Sequence, residues 1–527
     1  MTKSLSEQFN EKLDELGHFG PFQIKTFLLL ALSTIPCGWH AYSQTILSYE
    51  PTYNITTNNA QCKRFNYGDE TFENKDDVHQ FHLENLHNLV DCEPDDDFWF
   101  NTSDTISATT EWQTICSKQW QQDFDTQSFM LGKLAGAFIF GAMSDAVGRF
   151  KTYFISLVLQ LATGILIAIA PNVLVYSIAR FAEGAACSGV YLCAYVLALE
   201  FIGPDKRTTP GLIYHMFYAI GYSLLAPIGN YIKDFRTVSW VLAIPSAFAL
   251  PLYFIIDESV QWLLGKRRID DAEKIVLKAA DGNKKVLEKP VFVDDKEDKE
   301  GDEKNKGQCA AFADMFVDVF SGPYPKLRRR ILSLFLIWPI NSGSYYGITL
   351  NAKNLSGNFY LNLLISGLTE IPAILFVIFS ISKWDIGRKK ILMFTYALCA
   401  GLMGLIAVIQ AFHLDGDGNM WSILVIIPAM GGKFAISGAY AVIYLFSTEQ
   451  VPTVVKNSCL GVCSICARFG GLLCPYIISL ANYWKPLPLI IFASVSVVAF
   501  VLMIPLPETH KKVLPQTLEE AESFGFS

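Results

Sequence analysis

Twelve apolar runs recur along this chain, each close to the roughly 20 residues that a helix needs to cross hydrocarbon. Six of them cover Ile24 to Leu47, Gln127 to Ala146, Thr152 to Ala170, Val173 to Leu199, Gly211 to Tyr231 and Val238 to Ile256. Six more follow a charged gap, at Ile331 to Leu350, Phe359 to Ile381, Ile391 to Phe412, Trp421 to Phe446, Ser458 to Leu480 and Leu489 to Ile504. In lipid a backbone must satisfy its own hydrogen bonds, and a helix does so within one segment. The runs are therefore read as an all-α membrane protein of twelve helices, spans 1 to 12. With 51% of its residues hydrophobic and only 17% charged, the chain does not fit an ordinary soluble enzyme.

Basic residues set the expected orientation, because they concentrate on the cytoplasmic side. Arg149 and Lys151, Lys206 and Arg207, "KRR" at 266 to 268, "KLRRR" at 326 to 330 and "GRKK" at 387 to 390 fall in alternate connections, so both termini are expected inside. The first residues are polar and acidic and lack the basic lead of a cleavable signal, so span 1 is expected to be retained. The resulting division is 1–23, a cytoplasmic N-terminus; 24–256, a first half that includes an extracellular loop at 48–126; 257–330, a cytoplasmic loop; 331–504, a second half; and 505–527, a cytoplasmic C-terminus.

The net charge of -8 is partitioned rather than spread, and it gives no basic surface for nucleic acid. The 48–126 loop is acidic and carries sequons at Asn54 and Asn101, with a third at Asn354 between spans 7 and 8; it reads as a glycosylated extracellular domain. Of 12 cysteines, this loop holds Cys62, Cys92 and Cys116. In an oxidising exterior two of these are expected to pair, and all three pairings stay open. The remaining cysteines lie in spans or inside and read as small buried hydrophobes without zinc-site spacing. No metal or cofactor is expected. The long cytoplasmic loop begins with a helical pattern, "KRRIDDAEKIVLKAA", and continues into "DDKEDKEGDEKNKG", a mixed-charge stretch expected to be disordered.

Three short motifs appear once in each half and in the same order. "DAVGR" after span 2 matches "WDIGR" after span 8, with Gly148-Arg149 and Gly387-Arg388 separated by 239 residues. "EFIGPDKR" after span 4 matches "EQVPTVVK" after span 10, pairing Glu200 and Arg207 with Glu449 and Lys456. "DESVQWLL" after span 6 matches "PETHKKVL" after span 12. A duplicated six-helix unit follows, and duplicated halves rocking about a midplane site are the architecture of alternating access.

The same residues carry a resemblance. "GAMSDAVGRFK" is similar to the loop 2-3 signature of the major facilitator superfamily, and "YSIARFAEG" resembles its span 4 arginine motif. More narrowly, "FGPFQ", "EWQTIC", "YYGITLNAKNLSGNFYLNLLISGLTEIPA", "ESVQWL" and "LPETHKKVLPQTLEEAE" resemble the solute carrier 22 family of organic cation, anion and zwitterion transporters. The resemblance implies a major facilitator fold. It also implies that Asp145, Arg149, Glu200 and Arg207 form a latch at the cytoplasmic ends of spans 2 and 4, with Arg388, Glu449 and Lys456 as counterparts; a solvated charge cluster is the alternative. Two departures stand out. Val260 and Gln261 occupy positions where the family usually has Pro and Arg, and Trp384 replaces the aspartate expected three residues before Gly387, with Asp385 one step late. A weaker second-half latch is expected from the latter.

Four ionisable residues fall near span midpoints: Lys133 in span 2, Glu370 in span 8, Lys433 in span 10 and Arg468 in span 11. Charge at a bilayer centre costs about 2.5 to 3.5 kcal/mol on insertion scales, so these side chains must face the interior. Three bases against one carboxylate leave two uncompensated. Lys433 sits among small residues, and an internal ion pair fixing helix contact is the alternative to a substrate role; Glu370 is a partner for either lysine. Arg468 is read as a bidentate donor for a substrate carboxylate or sulfate. In the family, the residue 19 after the span 10 glutamate is commonly acidic in strict cation transporters and arginine in relatives handling anions or zwitterions; here Glu449 leads to Arg468.

Tyr345 and Tyr346 in span 7, Tyr191 and Tyr195 in span 4, and Tyr218 and Tyr222 in span 5 lie on spans that line the cavity in the family. Their ring faces attract an ammonium group; for any single one, packing is the alternative. Arg180 is a candidate coupling residue; for His40 and His215 proton coupling stays open, with a hydrogen-bonding core histidine as the alternative. The reading is a plasma-membrane secondary transporter of small organic ions, driven by a coupling ion or by exchange. A non-transporting receptor on the same fold is the alternative. The phosphate-loop, H-E-x-x-H and G-x-S-x-G patterns are absent, which argues against an enzyme and against direct ATP drive.

Overall fold

A computed structural model of the chain describes residues 5–49, 53–56, 97–100, 106–114, 118–203, 206–287, 291–292, 321–351, 358–412, 419–452, 455–512, 515 and 517–524. The spans follow the apolar runs to within a few residues at most ends. Spans 2 to 6 are Gln119–Val147, Arg149–Ala168, Val173–Glu200, Thr208–Tyr231 and Phe235–Ala247, the last continued by a 3-10 turn at Leu250–Phe254. Spans 7 to 12 are Pro325–Leu350, Phe359–Ser382, Arg388–Ala411, Asn419–Gln450, Lys456–Ser479 and Leu487–Met503. Among the described residues, ten satisfy length and hydropathy together. Span 7 has a basic start and many polar residues, and span 12 has only 17 residues.

Span 1 is broken into Pro21–Leu32, Ile35–Tyr42 and Gln44–Leu47. The cause is local. Pro36 has no N–H to continue the ladder, and Ser33 and Thr34 turn their hydroxyls onto the carbonyls of Leu30 at 2.7 Å and Ala31 at 2.6 Å. Span 2 begins well before the apolar run does, which brings Asp125 into the helix.

Close crossing of spans 2 and 4 depends on glycine. A Cβ on Gly132 would lie 1.9 Å from the Phe181 carbonyl, and one on Gly184 would lie 2.1 Å from that of Phe129. Small residues let backbones approach where lipid supplies no hydrophobic drive between helices.

Between spans 1 and 2 an antiparallel pair, β1 (Tyr53–Thr56) and β2 (Asp97–Phe100), aligns Tyr53 with Phe100, and a short helix, Ala108–Trp112, follows. Asn54 lies on β1. Asn101, Asn354, Cys62, Cys92 and Cys116 lie outside the described residues, as does the mixed-charge stretch.

On the side of the termini, the N-terminal helix Leu5–Leu16 packs against Val260–Gly265, which adjoins Ile269–Gly282. Asn283, just after Ile269–Gly282, ties that helix to span 1: its Oδ1 accepts from Phe22 N at 2.9 Å, and its Nδ2 donates to Gln23 Oε1 at 2.8 Å.

Candidate functional site

Between the halves lies a cavity of about 1060 Å³, counting its mouth. The spans place its wall by helical spacing. Span 10 contributes Ser437, Tyr440 and Tyr444, three and four residues apart and thus on one face. Span 4 contributes Cys187, Ser188 and Tyr191, span 5 His215 and Tyr218, and span 7 Ser342, Tyr345 and Tyr346. Lys133, Glu370 and Arg468 complete the polar set.

Away from the termini the halves are joined. Tyr476 on span 11 donates to Gln127 on span 2 at 2.7 Å, and Lys233 lies 4.5 Å from the Tyr360 ring. Toward the termini, Gly141 on span 2 and Gly461 on span 11 have nothing within 4 Å of where a Cβ would stand. The contacts that join the halves at these two points thus lie on the side away from the termini.

The charges at depth sort into three groups. Glu370, 4% exposed, pairs with Lys433, 0% exposed, at 2.7 Å. The same carboxylate accepts from the Tyr345 hydroxyl at 2.8 and 2.9 Å, and Lys433 also donates to Thr349 Oγ1 at 2.6 Å. Lys133 donates to the Tyr346 hydroxyl at 2.8 Å. Arg468, among the described residues, donates only to Ser464, at 2.9 Å to its carbonyl and 2.7 Å to its hydroxyl, and its buried Nε is unpaired. An arginine so placed in a cavity wall can take a carboxylate.

Seven of the nine expected binding residues line the cavity: Arg468, Glu370, Lys133, Tyr345, Tyr346, Tyr191 and Tyr218. Two do not, and the expectation is corrected for them. Lys433 is enclosed by its own partners. Tyr195 packs its ring on Tyr214 at 5.2 Å and His215 at 5.8 Å, off the wall. Tyr222, buried against Tyr42 at 4.3 Å, is also off the wall. Tyr440 and Tyr444 were missed, although their i, i+7 and i+11 spacing from Lys433 was visible in the sequence.

The count of one deep carboxylate is also corrected. Glu183, 1% exposed, accepts from Arg180 at 2.7 Å and faces His40 Nδ1 at 2.8 Å, while Arg180 also donates to Ser43 at 2.9 Å. Its signal was the i, i+3 spacing from Arg180 in span 4. Asp125, 3% exposed, binds the Ser177 hydroxyl; a boundary drawn at Gln127 hid it. His215 lies in the wall, with Nδ1 2.6 Å from the Tyr191 hydroxyl.

At the terminal ends of spans 2 and 4, Arg149 meets Asp145 at 2.7 Å and Glu200 at 3.5 Å. Arg207 donates to the Ile202 carbonyl at 2.8 Å, and burial draws its guanidinium below its ordinary value against the pull of Glu200. Glu258, from the motif after span 6, caps span 3 by accepting from Phe150 N at 2.9 Å. In the second half Arg388 meets Glu449 at 3.5 Å and also contacts His510. Glu508 faces Lys389 N at 3.4 Å, the counterpart of the Glu258 cap. Asp385 turns away, to Lys511 and to His510 at 2.7 Å. The backbone of Lys456 opens span 11; its side chain lies outside the described residues.

Twelve spans in two halves around a central cavity define a secondary transporter of the major facilitator fold. The solved xylose transporter XylE from E. coli, in an inward open conformation, shares this fold, with a TM-score of 0.62 at 16% identity over 95% of this chain and 100% of that one. Residues 46–522 match the model of the sugar (and other) transporter family. The chain is 38% identical to a Drosophila melanogaster "Organic cation transporter protein" over 98% of its own length and 95% of the relative. It is 29% identical to mouse "Solute carrier family 22 member 4", over 98% and 94% of the two chains. The chain belongs to the sugar (and other) transporter family and, within it, to the solute carrier 22 transporters; it is a multi-pass membrane transporter and not an enzyme.

Proposed function

We propose that the chain moves small organic ions across the plasma membrane by alternating access, with carnitine-like zwitterions as the preferred substrates and organic anions also accepted. Arg468 receives the carboxylate. The faces of Tyr191, Tyr218, Tyr440 and Tyr444 receive the cationic group. The observation that carries this reading is the state of Arg468, which stands in the cavity wall bonded only to Ser464 among the described residues. Glu370 is already engaged by Lys433 and Tyr345, so an anionic group finds a donor more readily than a bare cation finds a carboxylate. Relatives named organic cation transporters support the cationic half of the substrate. On this reading the termini are cytoplasmic, the cavity faces the cytoplasm, and energy comes from a coupling ion or from exchange.

The test is uptake into proteoliposomes, without ATP, of a quaternary ammonium, a dicarboxylate and a carnitine-like zwitterion. Saturable zwitterion uptake that Arg468→Ala abolishes, with the variant still folded, is the expected result. Uptake of the bare cation alone, indifferent to Arg468→Ala, overturns it. Absence of flux for every probe, with specific binding retained, favours a sensor instead.

A further inference from the structure

The surroundings of Lys433 have the makeup of a cation-binding box, and the cation inside it belongs to the protein. Its ammonium lies 3.6 Å from the Tyr345 ring centroid, 2.7 Å from a Glu370 oxygen and 2.6 Å from the Thr349 hydroxyl, with the Tyr222 ring at 5.8 Å. A carboxylate, an aromatic face and a hydroxyl are the groups that recognise an alkylammonium ion. Glu370 and Tyr345 reach the cavity wall, whereas Lys433 is fully buried behind them on span 10. The box thus opens on the cavity while its occupant enters from the protein side.

We infer that Lys433 is a tethered surrogate for a cationic substrate group, filling the box formed by Glu370 and Tyr345 and so determining which ions the cavity accepts. A tethered group acts at a high effective concentration, so a free ammonium ion at ordinary levels does not displace it. With Glu370 neutralised in this way, the lysine and arginine on the wall, Lys133 and Arg468, leave the cavity electropositive. The inference rests on the reading of this cavity as the substrate site and names the residue that sets its charge preference. It differs from an ion pair kept only for helix packing, because it makes Glu370 competent to bind an external cation once the tether is gone.

The experiment uses the full-length chain in detergent, with methylammonium chloride as the probe and sodium chloride at equal ionic strength as the reference. Removing the Lys433 side chain leaves a carboxylate uncompensated in a low-dielectric wall, and a small ammonium ion restores the balance. The expected result is a saturable rise in the unfolding temperature of Lys433→Ala with methylammonium. Its apparent affinity is expected to be at least about ten-fold tighter than any response of the unaltered protein, a difference of about 1.4 kcal/mol. Lys433→Ala combined with Glu370→Gln is expected to lose the response. A folded Lys433→Ala that ignores methylammonium, or a response that survives Glu370→Gln, overturns the inference. Where Lys433→Ala does not fold in sodium chloride, Lys433→Gln is examined in both salts: recovery in methylammonium alone supports the surrogate role, and an equal result in the two salts overturns it. Zwitterion uptake does not enter this readout, so a failed methylammonium response leaves the Arg468 site standing, and a failed uptake assay leaves the box standing.

Discussion

The Lys133 ammonium on span 2 donates to the Tyr346 phenol on span 7 at 2.8 Å, joining the two halves across the cavity. Lys133 also sits 5.9 Å from the Phe129 ring, whose centroid is 4.6 Å from the Arg180 guanidinium carbon. One cavity lysine therefore touches the partner half directly and the buried charge network of its own half through a single ring.

That bond draws spans 2 and 7 together in the state that the proposed function reads as open toward the termini. A hydrogen bond to a charged group contributes about 1.5 to 3 kcal/mol. Tyr346→Phe is expected to shift the population toward the opposite-facing state by about ten-fold or more. The measurement is the labelling rate of Gly141→Cys by a charged maleimide from the terminal face, with Cys466→Ser as background. Slower labelling is expected, and an unchanged rate shows that the bond does not bias the transition.

Glu183 carries a different expectation, of stability and not of selectivity. It is the buried carboxylate between Arg180 and His40, and breaking a buried pair by neutralising one partner costs about 3 to 5 kcal/mol. Glu183→Gln is expected to lower the unfolding temperature sharply and to reduce the amount reaching the membrane surface. Substrate preference among the surviving molecules is expected to stay the same, since Glu183 is not on the cavity wall.

The spans were legible because lipid imposes one rule on every one of them: twenty apolar residues, backbone satisfied within the helix. The break in span 1 was not, because it comes from two hydroxyls and Pro36 acting together inside a run that stays apolar. Depth of charge could be read from sequence, and so Lys133, Glu370, Lys433 and Arg468 were found. Pairing could not, because it depends on which spans face each other: Glu370 takes Lys433 from span 10, while Lys133 turns to a phenol. Glu183 was not legible as a buried charge because Arg180, three residues earlier on the same helix, already compensates it.

The two charge clusters at the terminal ends of the halves are expected to respond unequally. Arg149 holds two carboxylates, whereas Arg388 holds Glu449 and shares His510 with Asp385, which has turned outward beside exposed Trp384. Arg149→Ala is expected to reduce the transport rate at least ten-fold, and Asp385→Asn less than two-fold, measured as initial uptake per molecule at the surface. The pH dependence follows from the direction of the shift. Lys511 and then His510 hold the Asp385 carboxyl below the usual carboxylate range. Its contribution is complete above that range and is lost only as pH falls through the lowered value, so acidification to about pH 5 is expected to leave it charged.

The glycines of span 2 give the sharpest contrast within one helix. At Gly132 an added methyl meets the Phe181 carbonyl carbon at 2.8 Å as well as its oxygen at 1.9 Å, and neither backbone atom can move without parting spans 2 and 4. At Gly141, nine residues on, the methyl meets open space. Gly132→Ala therefore forces the two spans apart and forfeits the packing that holds them, an overpacking cost of about 1 to 3 kcal/mol or more. Gly141→Ala gains helix propensity of up to about 1 kcal/mol with no contact to pay against it. Thermal unfolding of the two variants is expected to move in opposite directions. If Gly132→Ala matches the unaltered protein, the close crossing of spans 2 and 4 is not what positions Lys133 and Tyr191 on the same cavity wall.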